Sequence, residues 1–229
     1  MRYQYILLDN DNTLMDFTAA EHASIRETLS GFGLPSDEST VKLYSQINGA
    51  LWKALERKET TVTELKRERF RRLLEALNRS ELSADELTAR YESTLATHAD
   101  LMPGAYRFVE RLHLAGAKLA LVSNGVSAIQ RGRLSRAAFT PLLDGIFISE
   151  EIGSAKPEPL MLNMAMEHLG CGDKTQAVMV GDSMTSDMAA AKAAGIDSIL
   201  LCPPEKHLEG PTWVVHSLEA AEELLLEGE

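Results

Sequence analysis

Past Leu101 the chain repeats one pattern: a short apolar run, a polar stop, then a stretch with helical periodicity. The runs are Lys118-Leu-Ala-Leu-Val122, Gly145-Ile-Phe-Ile148, Ala177-Val-Met-Val180 and Asp197-Ser-Ile-Leu-Leu201, with a minor one at Trp213-Val-Val215. Short apolar runs bounded by turn residues predict buried strands. Pro103 opens a helix that Gly116 closes, a second runs to about Arg136, and Gly170 and Gly195 close two more. A last, acidic helix is expected over 217–226. Strands alternating with helices of ten to fifteen residues predict right-handed βαβ units and a parallel sheet.

Tyr5-Ile-Leu-Leu8 has the same texture and joins that sheet as its first strand. The segment that follows does not. Helical stretches are expected near 16–30, 38–58, 62–78 and 84–98, with Gly31-Phe-Gly-Leu-Pro35 and Ser80–Ser83 as breaks. Ser39 or Thr40, and Thr61 or Thr63 with Glu64 in the first turn, are the expected caps. The expected architecture is therefore α/β. Residues 1–14 and 101–229 form a parallel-sheet core, and residues 15–100 form a helical bundle inserted after strand one.

In parallel sheets, ligands bind beyond the carboxyl ends of the strands, near a switch in strand order. The residues standing there are Asp9 and Asp11, then Ser123 and Asn124, then Lys156, then Asp182 and Asp187. Any one alone reads as a solvated loop residue. Asp9 and Asp11, two apart in an extended backbone, point the same way, and carboxylates so placed repel unless a cation or a proton joins them. Carboxylates offer the hard oxygens that Mg²⁺ takes together with water and phosphate. Lys156 supplies positive charge, and Ser123 with the N–H groups of the next helix start suggests an anion cradle. The set suits phosphoryl transfer, in which cations neutralise the transferred group while a nucleophile attacks in line. A carboxylate can be that nucleophile.

The composition narrows the partner. Lys and Arg total 23 against 34 Asp and Glu, a formal net charge of −11. A nucleic-acid polymer or an anionic membrane is disfavoured as a partner by that sign, whereas a small phosphate ester is compatible with it. The two cysteines, Cys171 and Cys202, show no metal-type spacing, and no apolar stretch reaches the roughly 20 residues of a membrane span. With no secretory signal pattern, the expected compartment is the cytoplasm. His22, His98, His113, His168, His207 and His216 form no ligand pattern, and neither a P-loop nor a G-x-S-x-G elbow is present.

Four motifs, Asp9-Asn-Asp-Asn-Thr-Leu14, Ser123-Asn-Gly125, Lys156-Pro157 and Gly181-Asp-Ser-Met-Thr-Ser-Asp187, resemble in order and setting those of the haloacid dehalogenase (HAD) superfamily. The resemblance implies a Rossmann-like core with a helical cap over the active site. It implies Asp9 as nucleophile and Asp11 as the acid that protonates the leaving oxygen and then activates water. Ser123 and Asn124 would hold the phosphoryl group, and Lys156 would stabilise charge on Asp9 and the phosphate. Mg²⁺ would be bound by Asp9, Asp182 and the backbone carbonyl of Asp11, with Asp187 in its outer shell. Members that cleave carbon–halogen bonds usually lack the second aspartate, so Asp11 favours a phosphatase. Asn12 replaces the glycine or acid often found before the threonine.

Fainter stretches are similar to the house-cleaning pyrimidine 5′-nucleotidases: Asn48-Gly-Ala-Leu-Trp52, Asn124-Gly-Val-Ser127 with Gln130, Ile148-Ser-Glu-Glu-Ile-Gly153, and Pro211-Thr-Trp213. The implied substrate is a nucleoside 5′-monophosphate. Sugar phosphates, sialic acid 9-phosphate and phosphoglycolate are alternatives, as is a catalytically idle binding or regulatory protein of the same fold. Trp52 is either a bundle core residue or a base-stacking one. Lys66-Arg-Glu-Arg69 with Arg71 and Arg72 is expected to be a solvated mixed-charge face.

Overall fold

The structure is a computed structural model that describes residues 1–205 and 209–226; His207 falls outside them. The protein divides into two compact units: Met1–Asp16, Asp100–Ser127 and Ala137 onward in one, Phe17–Ala99 and Ala128–Arg136 in the other.

The first unit is built on six parallel strands, β1 (Tyr5–Leu8), β2 (Lys118–Ser123), β3 (Gly145–Ile148), β4 (Ala177–Gly181), β5 (Asp197–Leu201) and β6 (Trp213–Val215). They stand in the order β3-β2-β1-β4-β5-β6. The chain steps outward from β1 to β2 and β3, then returns to place β4 on the other side of β1. The order therefore reverses at β1, the position where open parallel sheets bind ligands. Leu8 pairs in register with Leu121 and with Val180. Asp9, Val122 and Gly181 consequently come level at the carboxyl end.

Each apolar run is continuous because both faces of the sheet are covered. Leu7, Ala120, Val122 and Met179 pack in one cluster with Met161, Leu162 and Ala165 and with Ala190, Ala191 and Ala194. Numbering helices in sequence order, these belong to α8 (Leu160–Leu169) and α9 (Ala189–Ala194). Also in this unit are α5 (Ala105–Leu114), the single turn α7 (Ser149–Ile152) and α10 (Leu218–Leu226), and α5 packs on α10. The turn α7 is not among the expected helices: four residues are too few for a periodicity to show. The expected helix after β4 begins as a π-helical turn, Met184–Met188, before α9.

The Pro211-Thr-Trp213 stretch lies at the opposite end of the sheet from Asp9. Trp213 Nε1 donates to Tyr3 Oη at 3.0 Å, and Tyr3 Oη donates to Asp197 Oδ2 at 2.7 Å. These residues sit at the starts of β6, β1 and β5 and tie the amino ends of the strands together.

The second unit contains α1 (Phe17–Gly31), α2 (Glu38–Glu56), α3 (Val62–Ala76) and α4 (Ala84–Leu95). Residues 128–136, which carry most of α6 (Ser127–Leu134), group with it. Asp37 caps α2 in place of the expected Ser39 or Thr40, accepting from the N–H groups of both. Thr61 and Glu64 form a reciprocal capping box on α3. Tyr44, Phe70 and Tyr91 meet at ring separations of 5.3–5.6 Å. Arg69 departs from the expected solvated face. It is 2% exposed, stacks over Tyr91 at 4.7 Å and donates to Glu92 Oε1 at 3.0 Å. Arg71 and Arg72 do stay at the surface and pair with Glu68. Asn48 is buried and donates to Glu21 Oε1 at 2.7 Å, whereas Trp52 is half-buried.

Candidate active site

Asp9 extends β1 by one residue, its N–H donating to Val180 O at 2.9 Å. The turn that follows is folded inward. Asn10 is fully buried, and its carbonyl accepts from the N–H groups of Leu14 and Met15, both at 2.9 Å. A merely solvated loop would leave these residues in water. Asn12 has φ of +60°, the left-handed region that glycine enters freely and asparagine tolerates. That accounts for asparagine at this motif position. The turn brings Thr13 back onto Asp9, with Thr13 Oγ1 donating to Asp9 Oδ2 at 3.2 Å. Sequence reasoning gives Thr13 no such part, although it lies one turn beyond Asp9 in the motif.

Lys156 is 1% exposed, and its ammonium donates to Asp9 Oδ1 at 2.6 Å and to the backbone oxygen of Val122 at 2.7 Å. Asp187 Oδ1 stands 2.7 Å from the same nitrogen as an ion pair. Burial is the largest influence on this amine and works to lower its pKa, but the charges of Asp187 and Asp9 reverse it and hold the group above the usual lysine range. The lysine is a fixed cation at any physiological pH.

Asp187 is buried, and the N–H of Ser183 donates to its Oδ2 at 3.0 Å. The site depends on Gly181. A Cβ there would fall 2.3 Å from Asp187 Oδ2 and 2.7 Å from Asp187 Cβ, closer than any side chain tolerates. Asp9, Asp182 and Asp187 each present a carboxylate oxygen within 4.8 Å of the others, Asp182 being the exposed member. The carboxylate of Asp11 is not among these three, but its charge contributes to the shift at Asp182.

Three carboxylates against one ammonium leave the cluster two charges negative. Burial first, then the charge of Asp187, push Asp9 well above the usual carboxylate range against the pull of Lys156. The same two causes push Asp182 up to about 7. Hard oxygen donors, crowding and a deficit of two positive charges fit a divalent cation of the Mg²⁺ type.

Ser123 closes β2 and is buried. The carboxamide of Asn124 is taken up by other protein groups, Lys156 and Ser186. The expected anion cradle at the following helix start is also occupied from within. The N–H of Ser127 donates to Glu150 Oε2 at 2.7 Å, and its hydroxyl to Glu151 Oε1 at 2.5 Å. The Ile148–Gly153 stretch thus supplies the anion that this helix start binds.

A profile of the haloacid dehalogenase-like hydrolases matches residues 3–195. The chain belongs to that family. Pyrimidine 5′-nucleotidase PynA of Streptococcus pneumoniae is 33% identical over 222 residues, spanning 96% of this chain and 93% of its own. Pyrimidine 5′-nucleotidase YjjG of Escherichia coli is 29% identical, spanning 98% and 99%. A crystal structure of the HAD-hydrolase YfnB of Bacillus subtilis, bound to magnesium, superposes with a TM-score of 0.91 at 30% identity and covers 99% of this chain and all of its own. The parallel sheet with its flanking helices is the α/β fold of this haloacid dehalogenase-like hydrolase family. Among the described residues no helix is long and apolar enough to cross a membrane.

Proposed function

We propose that the protein is a Mg²⁺-dependent phosphomonoesterase acting on nucleoside 5′-monophosphates, pyrimidine nucleotides foremost, through an aspartyl-phosphate. The observation that carries this reading is the state of Asp9. It is a buried carboxylate at the carboxyl end of the central strand, gripped by Lys156 and Thr13, with Asp182 and Asp187 beside it. One oxygen of Asp9 attacks phosphorus in line. The P–O bond to the nucleoside breaks, and Asp11 gives its proton to the departing 5′-oxygen. Asp11 then takes a proton from water as that water attacks the aspartyl-phosphate, releasing inorganic phosphate and restoring Asp9.

Ser123 binds phosphoryl oxygens from the end of β2, with Asn124 beside it in the loop. Lys156 stabilises charge on Asp9 and on the transferring group. Mg²⁺, when held by Asp9, Asp182 and the backbone carbonyl of Asp11 with Asp187 outside that shell, would neutralise the phosphoryl oxygens. The nucleotide assignment is supported by the full-length similarity to PynA and YjjG. The free cysteines and acidic charge accord with a cytoplasmic setting.

A panel of phosphate esters tests both parts. With Mg²⁺ the purified protein is expected to release phosphate from UMP, dUMP and dTMP, and to stop on addition of EDTA or on Asp9→Asn. Turnover that survives Asp9→Asn sinks the covalent mechanism. Hydrolysis of sugar phosphates, sialic acid 9-phosphate or phosphoglycolate with none of nucleotides sinks the substrate assignment and leaves the chemistry standing.

A further inference from the structure

The end of β2 holds Lys156 at both of its ends. At the far end, Val122 O accepts from the ammonium at 2.7 Å. At the near end, two residues further along the sequence, Asn124 clasps the backbone of the lysine. Its Nδ2 donates to Lys156 O at 2.7 Å, and its Oδ1 accepts from Lys156 N–H at 2.8 Å. The remaining N–H of the amide points to Ser186 Oγ at 3.3 Å. Ser186 is in turn held by Ser183, whose hydroxyl accepts from Ser186 N–H at 3.1 Å. This pairing leaves no choice of amide orientation, because the backbone N–H of Lys156 must donate and its carbonyl oxygen must accept.

We propose that Asn124 is a positioning residue for Lys156, rather than a group that binds the phosphoryl oxygens itself. Both N–H groups and the oxygen of its carboxamide are already engaged. One asparagine thereby joins the loop after β2, the Lys156 loop and the turn that carries Asp187. A lysine stem is rich in rotamers, so fixing its backbone and its tip together preorganises the cation against Asp9 and Asp187.

The kinetic part of this inference rests on the phosphatase reading above; the structural part does not. Asn124→Ala is expected to lower kcat roughly 10- to 100-fold, the scale on which supporting residues act, with KM for nucleotide and Ki for inorganic phosphate changed less than about threefold. In a Lys156→Ala background the same substitution should add little, because its effect passes through the lysine. Asn124→Asp keeps the acceptor for Lys156 N–H but sets a carboxylate against Lys156 O, and should not rescue the rate.

The second readout needs no turnover. In nuclear magnetic resonance the Lys156 amide and ammonium protons should be protected from exchange in the native protein and lose that protection in Asn124→Ala, while β1 and β4 amides keep theirs. Unchanged Lys156 protection in Asn124→Ala overturns the proposal. Additive rate losses in the double mutant with a tenfold rise in Ki for phosphate overturn it in favour of direct phosphate binding. A protein inert toward every phosphate ester defeats the functional reading, and the Lys156 exchange result then decides the clasp by itself.

Discussion

In each unit a long cation is buried against a carboxylate, Lys156 in one and Arg69 in the other, and these two stand in opposite surroundings. Lys156, at the sheet's carboxyl end, has carboxylates on two sides and a third nearby. Arg69, inside the helical unit, has Glu92 on one side and the rings of Tyr91 and Phe70 on others. A buried ion pair by itself says little about function or stability. The company decides. Carboxylates crowded around a lysine raise one another's pKa and leave a net charge that a ligand must satisfy. Aromatic rings around a guanidinium offer it cation–π contact instead of further charge, and read as packing that fixes how α3 and α4 meet.

The comparison is broken most directly by removing each cation. Lys156→Met is expected to reduce kcat by about 10³ or more, since it takes away a preorganised charge at the reacting group. Arg69→Met should leave kcat per folded molecule within about twofold and lower unfolding free energy by roughly 2–3 kcal/mol, less than a fully buried pair because Glu92 is partly exposed. Steady-state rates and denaturant titrations on both variants give the answer. Equal loss of kcat in the two would mean that Arg69 also serves the reaction.

The same contrast explains what the sequence can and cannot reveal. The strands are legible because a parallel sheet covered on both faces writes each strand as an unbroken apolar run. The functional end is legible because each motif follows a strand, and Asp9, Lys156, Asp182 and Asp187 do converge. Pairings across long separations are not. Arg69 finds Glu92 after 23 residues, Asn124 finds Lys156 after 32, and Ser127 finds Glu150 after 23. In a run of alternating charge nothing marks the one arginine that faces inward, and nothing local tells a phosphate-binding asparagine from one that clasps a backbone. Asp37 displaces Ser39 as the cap because helix start signals within three residues of each other compete, and the carboxylate can accept from two N–H groups at once.

Two glycines sharpen the comparison further. Gly181 faces the Asp187 carboxylate, and Gly132, in the helical unit, faces Ala96, with an added Cβ 2.8 Å from its Cβ and 2.9 Å from its oxygen. Gly181→Ala must displace Asp187 from Lys156, so a loss of activity of roughly 10- to 100-fold is expected. Gly132→Ala should instead cost about 1–3 kcal/mol of stability through overpacking, with kcat per folded molecule little changed. Thermal melts and rates measured side by side separate these outcomes; an unaffected rate in Gly181→Ala would show that Asp187 can work from elsewhere.

The smallest expected effect is on stability against pH, and here the two units pull in opposite directions. In the helical unit, hydrogen bonds from Arg71 hold Glu68 down to about 2, so its contribution to folding is present above the unfolded carboxylate range and lost as pH falls below it. At the sheet end, Asp182 is raised to about 7 and Asp9 is also raised. Between the unfolded carboxylate pKa of about 4 and that value, the folded state binds more protons than the unfolded one. Stability from this cluster is therefore lost as pH rises through the window. EDTA-treated protein should melt lower at about pH 7.5 than at about pH 5.5. Mg²⁺ bound at these carboxylates would relieve the crowding, and at a hundredfold excess over its dissociation constant would add about 2.7 kcal/mol, or roughly 5–10 °C for a protein of this size. The upshift should be clearly larger at the higher pH, and Asp182→Asn should remove most of the difference between the two. An equal upshift at both pH values would mean that the cation is held elsewhere than at these crowded carboxylates.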